Sequence, residues 1–156
     1  MKIKYSEVKQ GQTFKRDGLS FTKLNDALSI INTIDRDISF CVFDNYDNNY
    51  KKSLIRHYIN NRYCELMCID KTELLPVNEM GDKLTLLSKE EYEEFKNIIP
   101  QVDRWCWLRS PSPYGSYRAY LVYYIGDWDD YHVYCSYAVR PALIFNPEVN
   151  VEVSHE

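Results

Sequence analysis

The sequence predicts a chain of mixed α and β structure. Three observations carry that expectation: a serine-capped apolar helix after residue 53, a second helix with a complete capping box at residues 88–91, and a C-terminal third patterned as sheet. At 156 residues with 45% hydrophobic content, the chain suits one domain over residues 1–156 with its own core. Five glycines and six prolines do not suggest low complexity.

Taken in order, Gly11–Phe14 and Asp17–Leu24 read as two strands around an Asp-Gly turn. Ala27–Ile34 carries apolar residues at helical spacing but is rich in β-branched residues, which favours a strand. Ser39–Phe43 is a short buried strand. Asp44–Asn49 is a polar loop, and Ser53 caps the first helix, with Leu54, Ile55, Tyr58, Ile59 and Tyr63 as one apolar stripe. Leu84–Leu87 is a short strand. Ser88 caps the second helix and Glu91 reaches back to complete the box. Tyr92, Phe95, Ile98 and Ile99 form its buried stripe, and Pro100 ends it. Arg118–Ile125 and Tyr131–Val139 read as hairpin arms around the loop Gly126–Asp130. In the second arm Val133, Cys135, Tyr137 and Val139 share a face. The first arm is apolar on both faces, so its second face lies under another layer or stands exposed. A last strand, Ala142–Phe145, follows Pro141.

The net charge of −4 argues against non-specific attraction to nucleic acid. No run of about 18 apolar residues occurs, so no membrane partner is expected. The N-terminal residues lack a secretory pattern, and five irregularly spaced cysteines suit reduced thiols, so a cytoplasmic location in a bacterial host cell is expected. Cys64 and Cys68 lack the second ligand pair a zinc site needs. The acidic loops around Asp44 and Asp127–Asp130 lack the spacing of a calcium loop. Neither a metal nor a cofactor is expected. His57 reads as a helix-surface histidine, His155 lies in the tail, and His132 and Cys135 would point to opposite faces of one strand, which disfavours a nucleophile–base pair.

Eight of fourteen tyrosines fall between residues 106 and 143: Tyr114, Tyr117, Tyr120, Tyr123, Tyr124, Tyr131, Tyr134 and Tyr137. Tyrosine on a stiff scaffold offers wide contact area at low entropic cost, the composition of a binding face. Tyr114, Tyr117, Trp128, Asp129, Tyr131, His132 and Tyr134 are the expected contact residues, with Trp128 exposed at the turn. At least one of Trp105 and Trp107 is expected in the core. Trp107, Arg109 and Arg140 are assigned structural roles, the arginines bracing loop carbonyls or a carboxylate.

Four segments occur in order: Asn49–Asn60, containing Tyr-Lys-Lys-Ser-Leu-Ile-Arg; Leu84–Ser88; Cys106–Pro111, Cys-Trp-Leu-Arg-Ser-Pro; and Val139–Leu143, Val-Arg-Pro-Ala-Leu. This pattern resembles a widespread bacterial and phage family of uncharacterised domains similar in layout to the C-type-lectin-like fold, whose relatives include formylglycine-generating enzymes and the variable proteins of diversity-generating retroelements. The resemblance covers roughly residues 10–147. It implies a lectin-like α+β domain, two helices packed on a twisted antiparallel sheet, with the tyrosine-rich segment as the ligand face. Cys106 stands where that family has a tryptophan. The copper-binding cysteine pair of formylglycine-generating enzymes has no counterpart.

The expected function is therefore non-catalytic recognition of a partner protein, with carbohydrate as a weaker candidate and nucleic acid disfavoured. Two alternatives remain. One is a phage-encoded inhibitor of a host defence system, of anti-CRISPR type. The other is an oxidoreductase-like enzyme related to formylglycine-generating enzymes, which would need Cys106 and Cys135 within disulfide reach.

Overall fold

A computed structural model describes residues 1–123 and 126–154. Tyr124, Ile125 and His155 lie outside the described residues. The fold opens with β1 (Lys2–Lys4), followed by a hairpin of β2 (Thr13–Arg16) and β3 (Leu19–Lys23). Arg16 faces Leu19 across Asp17 and Gly18, which both hold positive φ (52° and 81°). Two such residues make a type I′ turn, whose twist matches the flanking strands. The Asp-Gly turn is therefore where the sequence puts it, although Asp17 and Gly18 belong to the turn and the first arm runs on to Arg16. Phe14 and Phe21 stack across this pair with ring centroids 5.4 Å apart, and the Phe14 ring lies 5.5 Å from that of Tyr5.

β4 (Ser29–Ile31) and β5 (Phe40–Val42) follow. After one 3-10 turn over Tyr50–Lys52 comes α1 (Leu54–Asn60), whose N-cap Ser53 accepts the Arg56 N–H at 3.1 Å. The chain breaks at Asn61 and resumes as α2 (Arg62–Leu66). Ile55 and Ile59 are fully buried, worth roughly 1.5–3 kcal/mol each. Leu54 departs from the predicted stripe: it is exposed, one position around the helix from Ile55.

β6 (Leu74–Leu75) and β7 (Leu84–Thr85) lead to α3 (Lys89–Phe95). Both hydrogen bonds of the Ser88/Glu91 capping box form. Tyr92, Phe95 and Ile99 are buried, and Ile98 is half-buried. Then come β8 (Cys106–Pro111), β9 (Arg118–Val122), β10 (Trp128–His132), β11 (Ser136–Ala138), β12 (Ala142–Phe145) and β13 (Asn150–Val153).

The strands form two sheets. The larger runs β1-β13-β2-β3-β4-β12-β6, with β7 also on β12, so first and last strands pair antiparallel. The smaller runs β10-β9-β8-β11-β5 and is antiparallel except for one parallel bridge, Ala138 to Cys106. Trp107, Ala119 and Leu121 on one face of the smaller sheet join a core with Phe43, Ile55, Ile59 and Tyr63. Cys106, Leu108, Val122 and Ala138 on the other join Tyr92 and Phe95 of α3. Both faces of β9 are therefore covered, which explains its two-sided apolar pattern.

The predicted second hairpin arm needs correction. Tyr131–Val139 is not one strand. Val133 donates its N–H to Tyr117 O, but β9 begins at Arg118 and offers little beyond that point. The chain turns, with Cys135 N–H on His132 O, and β11 re-pairs with β5 and β8. Val133, Cys135, Tyr137 and Val139 thus do not form one strand face. Trp128, placed by the sequence in the loop, is the first residue of β10, opposite Val122.

Candidate functional site: an aromatic face on the β9–β10 hairpin

β10 is an edge of the smaller sheet. Tyr123 N–H bonds Asp127 O at one end of the ladder and Val133 N–H bonds Tyr117 O at the other. Antiparallel ladders alternate, so Asp129 and Tyr131 turn their backbone groups towards β9, while Trp128, Asp130 and His132 turn theirs outward. Side chains and a turn occupy three of those six outward groups, both of Asp130's among them. Asp129 Oδ1 accepts the Asp130 N–H (2.8 Å), Arg118 Nη2 donates to Asp130 O (2.8 Å), and Cys135 N–H donates to His132 O (3.0 Å). The edge is blunted against strand addition.

Of the seven expected contact residues, the four on β10 divide between its two faces, and Tyr114, Tyr117 and Tyr134 lie in the segments beside it. Tyr117, His132 and Tyr134 come together as a stack: His132 lies 5.3 Å from the Tyr117 ring at 11° and 5.1 Å from the Tyr134 ring at 21°. Tyr117 and Tyr134 are 49% and 58% exposed. Tyr114, 79% exposed, sits in the adjoining loop with its N–H on Ser112 Oγ. Trp128 is on the same side of the strand but further along, half-buried, with Lys89 Nζ 4.7 Å above its ring. It is not the open turn residue the sequence suggests. Asp129 and Tyr131 lie on the opposite side. There Tyr131 packs on Trp105 and Tyr137, and Asp129 accepts the Tyr123 hydroxyl, which pushes that phenol up to about 12.

The stack rests on polar pins. Arg118 grips Asp130 through Nε (3.0 Å), and Ser112 Oγ donates to the same carboxylate. The Arg118 guanidinium holds the Asp130 carboxyl below its usual value near 3.8, against the opposing effect of burial. Asn48 Nδ2 donates to the carbonyls of Gly115 (3.1 Å) and Arg118 (2.9 Å). Asp44 donates its N–H to Val133 O and its carboxylate accepts the N–H groups of Tyr46, Asp47 and Leu54. The loop 44–49 is thereby docked against the hairpin and carries Tyr46, 84% exposed. Sequence reasoning read this loop as a solvated turn and missed both Tyr46 and Asn48. The residue types alone carry no signal for Asn48, because its partners are backbone carbonyls about 70 positions away.

The assigned structural residues sit as follows. Trp107 is 1% exposed and donates Nε1–H to Cys41 O (3.1 Å). Trp105 is half-buried. Arg140 is buried and donates to Ile31 O and Asn32 Oδ1, both at 2.8 Å; burial lowers its pKa. Arg109 donates to Leu86 O (2.8 Å) and pairs with Glu91. All five cysteines are free. Burial pushes the Cys41, Cys64 and Cys106 thiols up to about 11. Among the described residues no three His, Cys, Asp or Glu side chains converge as metal ligands do, and no helix is long and apolar enough to cross a membrane.

Residues 65–147, more than half of the chain, match the family described as "Domain of unknown function (DUF6273)". The chain belongs to this family. The match takes in β8 to β12 and hence the hairpin, but begins after the Tyr46 loop. The chain matches no curated protein and no solved structure.

Proposed function

We propose that this chain is a non-catalytic recognition domain that binds a partner protein through the Tyr117–His132–Tyr134 stack and the neighbouring Tyr114 and Tyr46. The observation that carries this reading is a three-ring stack, exposed at Tyr117 and Tyr134 with His132 half-buried between them, on a scaffold pinned by Arg118, Asp130, Ser112 and Asn48. Large rings held by a preformed scaffold lose little entropy on binding, and their hydroxyls supply directional contacts. The blunted edge of β10 favours recognition by side chains over strand addition. A protein partner is favoured because the exposed rings are spread over several loops and form a broad surface, not a sugar-sized pocket. The lectin-like reading of the fold has two supports: the antiparallel pairing of first and last strands, and the placement of the strands within residues 106–138 in a separate small sheet.

The test is a double substitution, Tyr117→Ala with Tyr134→Ala. Partner captured by the wild-type chain from a lysate of its native host would be identified by mass spectrometry, purified and titrated against both forms. The expected outcome is at least a hundredfold loss of affinity, about 2.7 kcal/mol for two central aromatics, with the melting temperature nearly unchanged. Undiminished affinity, or a variant that unfolds, contradicts the assignment.

A further inference from the structure

The most deeply buried arginine of this chain has no acidic partner. Six of the eight arginines pair with a carboxylate, and among the described residues Arg36 and Arg140 do not. Arg36 stands exposed to water, which screens its charge. Arg140 is 7% exposed. Its Nε and Nη2 donate to two neutral oxygens, Ile31 O and Asn32 Oδ1, and its Nη1 has no partner among the described residues. Neutral acceptors orient a guanidinium but do not cancel its charge, and a buried charge without an opposite one is costly. The groups that oppose the lowering of the Arg140 pKa by burial are the Cys106 thiol and the Tyr92 hydroxyl. Cys106 is pushed up to about 11 and Tyr92 is raised as well, both by burial, so neither carries a negative charge near neutral pH.

Arg140 and Tyr92 line one cavity of about 30 Å³, enclosed between α3 and strands β8 and β9 of the smaller sheet. Leu87, Ile99, Leu108 and Val122 make its wall apolar. Tyr92 is 8% exposed, and no hydrogen bond reaches its hydroxyl among the described residues. Gln101, from the segment after α3, also borders the cavity, and its amide is likewise without a partner among the described residues. The two polar tips converge under Gly126: a methyl group placed there would lie 3.6 Å from the Tyr92 hydroxyl and 3.6 Å from Gln101 Nε2. Polar groups in a closed site are ordinarily satisfied, so three unspent donors around one small space call for an acceptor inside it.

We propose that this cavity holds a single monoanion the size of chloride, bound by Arg140, the Tyr92 hydroxyl and the Gln101 amide. The volume sets the size: about 30 Å³ takes one body no larger than a water molecule or a halide, and leaves no room for phosphate or an organic carboxylate. The charge sets the sign. A water molecule in the same place would satisfy the donors but leave the buried guanidinium uncompensated, whereas a halide does both. The bound ion ties together α3, the segment after it and the strand end that carries Arg140. This site is separate from the ring stack and stands or falls independently of it.

The full chain would be titrated by NMR with sodium chloride, sodium bromide and sodium acetate, with ionic strength held constant by sodium gluconate, following the Arg140 Nε–H and Gly126 amide signals. Saturable movement is expected with chloride and bromide at millimolar concentration, and none with acetate. Tyr92→Phe should weaken bromide binding about tenfold, the loss of one hydrogen bond to a charged group. Gln101→Leu, at an exposed position where the fold tolerates change, should weaken it as well. Anomalous scattering from a crystal grown in bromide should place one ion between Arg140 and Tyr92. The proposal is overturned by no saturation with either halide, by an equal response to acetate, by unchanged affinity in either variant, or by a water molecule at that position in the bromide crystal.

Discussion

Cys68 shows how a single residue can be placed against its own preference. It holds φ 60° just past α2, where Cys68 N–H bonds Glu65 O and Ile69 N–H bonds Cys64 O. That pair of bonds is a Schellman closure, and glycine is the favoured residue at its left-handed position. A side chain there costs about 1 kcal/mol, partly offset by the freedom glycine adds to the unfolded chain. Cys68→Gly should therefore raise the free energy of unfolding by roughly 0.5 kcal/mol, read from the urea midpoint at unchanged slope; a loss of stability would show that the thiol makes a contact of its own. At this scale the sequence was legible where partners are local. The Ser88/Glu91 box and the Asp17-Gly18 turn need only neighbours within three residues, and both form. Cys64 and Cys68, four apart in sequence, separate into one buried and one exposed residue, the second lying at the left-handed turn.

At the scale of elements, local pattern misled where pairing is non-local. Alternation from Tyr131 to Val139 reads as one strand, yet the length of β9 decides where β10 stops. The apolar stripe from Leu54 to Tyr63 reads as one helix, yet Asn61 breaks it. The hairpin is held by Arg118–Asp130, and the α1 region by the bidentate pair Arg56–Asp82 at 2.8 and 2.9 Å. Asp130 is held below its ordinary value chiefly by Arg118. For Asp82 burial acts upward but is outweighed by the bonds from Arg56 and Asn78, and the net shift is again downward. A carboxyl with a depressed folded pKa adds stability that is present above its unfolded value near 4 and is lost as the pH falls through the folded value. Unfolding midpoints in urea should therefore fall between neutral pH and about pH 3. Asp130→Asn should be less stable than wild type at neutral pH, with the gap closing in acid. A gap that stays constant with pH would show that the ion pair contributes nothing to the linkage.

For the whole molecule, the sequence placed helices and strands well but left the division into two sheets to be seen in three dimensions. β12 joins one sheet while β11, three residues upstream, joins the other. That split puts the tyrosine-rich segment on a small sheet with both faces covered, so its rings emerge mainly at the hairpin edge and at the loops beside it. The candidate face was legible as composition. Its division into an exposed stack and a separate packed cluster around Trp105 was not, because strand parity separates Tyr131 from His132 only once the register is known. The central claim is that Tyr117, His132 and Tyr134 meet a partner protein. Amide hydrogen exchange on the complex tests it most directly. The account predicts new protection confined to residues 112–118, 132–135 and the 44–49 loop; protection at the β1–β3 strands instead, with those three segments unchanged, would contradict it.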